Sequence, residues 1–202
     1  SIYGACGAGA TGKFPNMAIS ATVTAEGREA MVIKKRILPE RFPGVTIVYG
    51  DTDSIMMTFD DVSCIEESGV RGKEVADFVT DYFRDELGLP TMIMEFEKAF
   101  LPYLQEGKKR YAGNKFEPGV DDRMVEKGID CKDIETERKD TLPFTKEILS
   151  AVLDDLMIRM DERLALQTFE SFMQRLVSNE VPFDAYIMKK NLSAKVMNKT
   201  DS

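Results

Sequence analysis

The 202-residue sequence contains no histidine and no tryptophan. Without histidine this chain can hold no Ser-His-Asp or Cys-His nucleophile, no histidine general base and no histidine zinc site. Any metal it binds would be held by oxygen, which favours magnesium, manganese or calcium over zinc or copper. Cysteine is scarce. Cys6, Cys64 and Cys131 are far apart and odd in number, so they suggest neither a disulfide framework nor a zinc motif, and a reducing intracellular compartment fits them. No apolar run approaches the roughly 18 residues of a membrane span, and no basic-then-apolar signal segment opens the sequence. The first residue is Ser, in a Gly- and Ala-rich stretch with no helix start before it, so the chain is expected to be a piece of a longer protein.

What is present is a globular composition, 43% hydrophobic and 31% charged, enough for one core or a core with a smaller appended unit. The net charge of −8 argues against nucleic acid only as an average, because a binding footprint is local. Lys108, Lys109, Arg110 and Lys115 lie in the acid-free KKRYAGNK, and Lys189, Lys190, Lys195 and Lys199 in the acid-free KKNLSAKVMNK. The acids gather elsewhere, in DDVSCIEES and LDDLMIRMDE.

Residues 1–16 read as a helix end and loop. Apolar spacing through Ala18, Ala21, Ala25, Ala30, Met31 and Ile33 predicts a helix over 17–38 that crosses Gly27 and stops at Pro39. TIVYG and SIMMTF read as a hairpin joined by Asp-Thr-Asp. Val75, Phe78, Val79, Tyr82, Phe83 and Leu87 predict a second helix with Gly88 as its stop. TMIMEFEKAFLPYL and KKRYAGNKF read as strands, and LPFTKEILSAVLDDLMIRMDERLALQTFESFMQRLVSN as two helices. The order is mixed α/β, then mostly α, with the change between 116 and 141.

Within VTIVYGDTDSIMMTF, Asp51 and Asp53 stand one residue apart at a tight turn between apolar strands. Unpaired, they would repel. A divalent cation removes that repulsion, a rigid hairpin is the mount that metal geometry needs, and Gly50 leaves room for close backbone approach. A bare pair of this kind also fits an ordinary acidic turn. Glu95 and Glu97 alternate with Met94 and Phe96, so both face one side of a strand; a solvated face fits Glu97, while Glu95 fits either a solvated face or a carboxylate near a metal. KKRY equally fits a basic strand edge that blocks pairing, and Lys189, Lys190 and Lys195 fit either phosphate contact or a solvated charge run. The Met-rich SIMM and the apolar stripe of 75–87 are most simply core packing.

Tyr49-Gly50-Asp51-Thr52-Asp53-Ser54 resembles the motif C hexapeptide of family B DNA polymerases. Further stretches agree in the family's order. Ser1-Ile2-Tyr3-Gly4 resembles the end of motif B, AISATVTAEGREA the palm helix after it, and MEFEKAFLPYLQEGKKRYAG the Lys-Lys-Arg-Tyr region before the thumb. DCKDIETERKDTLP and VPFDAYIMKKNLSAKV resemble the delta-type thumb. The resemblance covers nearly the whole chain and points to delta-like enzymes, cellular or from a large DNA virus.

The resemblance implies an α+β fold: a palm, with an antiparallel sheet and packed helices, followed by a mostly helical thumb. Residues 1–16 would end the fingers, 17–116 contribute palm and 117–202 thumb. It implies template-directed nucleotidyl transfer from dNTP to a primer 3′ end with two Mg2+ ions, Mn2+ able to substitute. Asp53 would be the direct metal ligand, with Asp51 its close partner. Tyr3, Gly4 and Thr52 would lie at the nucleotide. Lys108, Lys109, Arg110 and Tyr111 would follow the primer end, where minor-groove acceptors are alike for all pairs. Lys189, Lys190 and Lys195 would touch phosphates.

The motif A carboxylate and the Lys and Asn of motif B belong upstream in the family and are not in these 202 residues, so the isolated chain is expected not to polymerise DNA. Primer-template DNA and dNTP are the implied partners, with a sliding clamp and accessory subunits usual for delta-like members and no membrane. The implied location is the nucleus, or the replication site of a DNA virus within its host. Two other readings stay open: another magnesium-dependent nucleotidyl transferase with a similar hairpin, and a non-catalytic palm and thumb that only binds duplex DNA.

Overall fold

A computed structural model describes residues 16–51, 53–134, 136 and 141–188. The chain forms two compact units, Ser1–Phe96 and Glu97–Ser202, and the fold is α+β with antiparallel sheets.

In the first unit, helix α1 spans Met17–Arg41. Asn16 caps it, its side-chain oxygen accepting from the Ile19 N–H at 3.1 Å. The helix runs through Gly27 as expected but does not stop before Pro39. It continues to Arg41, because Leu38 is fully buried and Ile37 nearly so, and this packing outweighs one missing N–H donor in the last turn. The hairpin is as expected: β1, Val45–Asp51, pairs antiparallel with β2, Ser54–Phe59. Helix α2, Ile65–Asp85, starts ten residues before the apolar stripe read from the sequence. Its stop is close to the expected one, with Gly88 at φ +64° just beyond.

Ala30, Ile37 and Leu38 of α1 pack with Val75, Val79 and Phe83 of α2, and Val45, Ile55, Met57 and Phe59 of the hairpin close onto that core. Residues 91–98 are extended but join no ladder, so the strand read over TMIMEFEKAFLPYL begins only at Ala99. Met92, Met94 and Phe96 alternate inward as a strand would, while the hydroxyl of Thr80 replaces a neighbouring strand: it donates to the Met94 oxygen at 3.2 Å and accepts from the Met94 N–H at 2.9 Å.

In the second unit, β3 (Ala99–Gly107), β4 (Arg110–Pro118) and β5 (Met124–Lys132) form an antiparallel sheet in the order β3-β4-β5. The sequence reading had no strand at β5, whose alternation is interrupted at Gly128, φ +82°, beside a register shift against β4. Helix α3, Pro143–Met157, lays Leu153 and Met157 on Ala112 and Ile134 of the sheet unit. Helix α4, Glu162–Val177, packs on α3 through Phe172 against Phe144 and Val181. The two expected helices are thus present, parted at residues 158–161.

Candidate functional site

The acidic turn closes the β1–β2 hairpin. Asp51 is the last residue of β1 and pairs with Ser54, whose hydroxyl donates to the Asp51 main-chain oxygen at 3.1 Å. Asp51 is half-buried and Asp53 exposed. Thr52 lies outside the described residues.

A bulge decides which way these groups face. Ile47 pairs with Met57 but Tyr49 pairs with Met56, so Val48 is an extra residue. Val45, Phe59 and Met57 pack on the core, and Ile47 pairs with Met57. Plain alternation would put Asp51 there too. Beyond the bulge Gly50 is opposite Ile55 and lies toward Met31 of α1, so by the pairing Asp51, opposite Ser54, falls on the other face of the strand from Ile55. Gly50 is expected to admit a close backbone, but its nearest neighbour is a side chain: a Cβ there would lie 3.0 Å from Met31 Sδ.

Lys34 of α1 lies beneath the turn. It is 3% exposed, and its Nζ donates to the main-chain oxygen of Asp53 at 3.2 Å. Burial pushes the ammonium below its ordinary pKa, and the negative charge of Asp53 pulls the other way. The sequence reading gave Lys34 no role. Its spacing with Ala30, Ile37 and Leu38, on one helical face, was the available signal.

Asp51 and Asp53 supply hard oxygen donors of the kind magnesium takes. Among the described residues no group of three or more acidic or cysteine side chains is placed to hold a metal. Glu95 and Glu97 are both exposed, in keeping with a solvated face.

The basic segment is a hairpin end. Lys108 and Lys109 form the exposed β3–β4 turn, Lys109 at φ +65°. Arg110 begins β4 and pairs with Glu106 at 3.1 Å, and Lys115 pairs with Glu117 at 3.0 Å. Tyr111 is buried in a ring cluster, 5.7 Å from Phe100 and 5.6 Å from Tyr103 between centroids. Acidic neighbours outside KKRYAGNK therefore partner cations that look unopposed in the sequence. Tyr3, Gly4, Lys189, Lys190 and Lys195 lie outside the described residues.

A chain with this acidic hairpin and this α+β order matches a known sequence family along its length: a profile of DNA polymerase family B covers residues 1–201. The chain belongs to DNA polymerase family B. It is 35% identical to the DNA polymerase delta catalytic subunit of Caenorhabditis elegans, over 96% of this chain and 18% of that protein. It is 34% identical to the delta catalytic subunit of Dictyostelium discoideum, over 96% of this chain and 17% of the relative. It is also 34% identical to the DNA polymerase of Paramecium bursaria Chlorella virus NY2A, over 95% of this chain and 20% of that protein. The chain thus spans about a fifth of the length of these relatives. Among the described residues, no helix is long and apolar enough to cross a membrane.

Proposed function

We propose that this chain is the palm-and-thumb part of a delta-like, DNA-directed DNA polymerase that extends a primer 3′ end with dNTPs. The observation that carries the reading is the hexapeptide 49–54, mounted on a hairpin whose bulge puts Asp51 on the other strand face from Ile55, within a chain that matches the family over residues 1–201.

In this reading residues 17–116 contribute palm and 117–202 thumb, with 1–16 ending the fingers. Asp53 is the direct magnesium ligand and Asp51 its close partner, while a third carboxylate comes from outside these 202 residues. Two Mg2+ ions, when bound, neutralise charge on the attacking and leaving oxygens. The protein's part is to hold the two carboxylates on a rigid turn, so that little reorganisation remains when the nucleotide arrives. Tyr3, Gly4 and Thr52 meet the nucleotide. Lys108, Lys109, Arg110 and Tyr111 follow the primer, and Lys189, Lys190 and Lys195 meet phosphates, giving binding that weakens with salt. The location that follows is the nucleus or a viral replication site, with a sliding clamp and accessory subunits as partners.

The test is Asp53→Ala in the intact polymerase, assayed for primer extension and for primer-template binding. Extension should fall by orders of magnitude with DNA binding retained. Unchanged extension would sink the proposal in favour of a module that only binds DNA.

A further inference from the structure

Among the described lysines and arginines, Lys34 alone is buried. An ammonium gives up its hydration when buried, so an apolar side chain of similar length would be the stabler filler there. What methionine or leucine could not do is donate a hydrogen bond. The Lys34 Nζ reaches 19 residues along the chain to the main-chain oxygen of Asp53, at 3.2 Å. Holding that carbonyl from behind fixes the peptide plane, and with it the direction in which the Asp53 side chain leaves the backbone. The same ammonium is also attracted by the Asp53 carboxylate. The helix that carries Lys34 is itself anchored by Ile37 and Leu38, one turn away in the core.

We infer that Lys34 is a positioning residue for the acidic turn: it fixes Asp53 through the main-chain carbonyl, so that the turn is already set before a cation binds. This rests on the reading of Asp51 and Asp53 as metal-binding groups. Lys35, the adjacent exposed lysine, is the internal control.

The experiment uses the intact polymerase that carries this segment, with Lys34→Met, Lys35→Met and Asp53→Ala prepared alongside the wild type. Manganese alone is titrated without nucleotide and followed by electron paramagnetic resonance, and primer extension and thermal unfolding are measured on the same samples. Lys34→Met should melt no lower than the wild type, weaken manganese binding several-fold and lower kcat about tenfold, with the KM for dNTP little changed, since small misplacements at a reacting centre carry large rate penalties. Lys35→Met should match the wild type. Should Lys34→Met melt early, Lys34→Gln, too short to reach the carbonyl, carries the same comparison. Wild-type manganese affinity and kcat in a folded Lys34 variant, with Asp53→Ala inactive, would overturn the inference and leave the site reading standing. If Asp53→Ala itself binds manganese and extends primers normally, the site reading fails and this inference with it.

Discussion

Gly50 and Met31 are in contact across the interface between α1 and the β1–β2 hairpin: a Cβ on Gly50 would stand 3.0 Å from the Met31 sulfur and 3.2 Å from its methyl carbon. The glycine next to Asp51 is what lets the helix approach the turn so closely.

Gly50→Ala should therefore destabilise the protein modestly, by about 1 kcal/mol, because the colliding atoms are the far end of a flexible side chain that can move aside. Met31→Ala in the same chain should relieve the contact, so the double variant should lose less than the sum of the two single ones. Urea unfolding of the four proteins measures both effects. Additive losses would show that Met31 is not the obstacle.

Asp155 links the two helices of the second unit. It is 3% exposed, accepts from the Thr168 hydroxyl at 2.6 Å and pairs with Arg159 at 3.1 Å. Asp155→Ala should cost about 2–3 kcal/mol, since it strands the Thr168 donor and opens space between α3 and α4. Thr168→Val should cost about 1 kcal/mol. Denaturant midpoints of the two variants test that ordering, and a smaller loss for Asp155→Ala would contradict it.

Helix α2 begins at Cys64, which makes no side-chain cap, and Glu67 reaches back instead. Its Oε2 accepts from the Ser63 N–H at 2.8 Å and the Ser63 hydroxyl at 2.9 Å. These bonds, the backbone one foremost, hold the carboxyl below its ordinary value of 4.5. Because the folded pKa is the lower one, the contribution is complete above the unfolded value and fades as pH falls through the folded value. Glu67→Gln should be less stable than the wild type at neutral pH, and the two melting temperatures should converge as pH drops below 4.5. A gap that persists in acid would place the effect elsewhere than in ionisation.

The sequence was most legible where one period dominated. The short apolar runs TIVYG and SIMMTF around Asp-Thr-Asp gave the hairpin, and helical spacing of apolar residues gave the first two helices, because burial of one face sets that spacing. It misled where burial and pairing part company. Residues 91–98 alternate like a strand yet are held by the Thr80 side chain, and Pro39 marks no helix end because Leu38 beside it is buried. The strand β5 escaped notice since Gly128 and a register shift break its alternation.

By itself the sequence determined the family and the acidic turn, because these depend on which residues are present and in what order. The tertiary structure alone decided that Asp51 falls on the other strand face from Ile55 and that Lys34 lies under Asp53. A one-residue bulge at Val48 exchanges the two faces of a strand, and a pattern of period two cannot reveal where such a bulge falls. Likewise a lysine 19 residues from the turn becomes its support only when helix α1 packs on the hairpin, a contact set by the shared core of both helices rather than by any local signal.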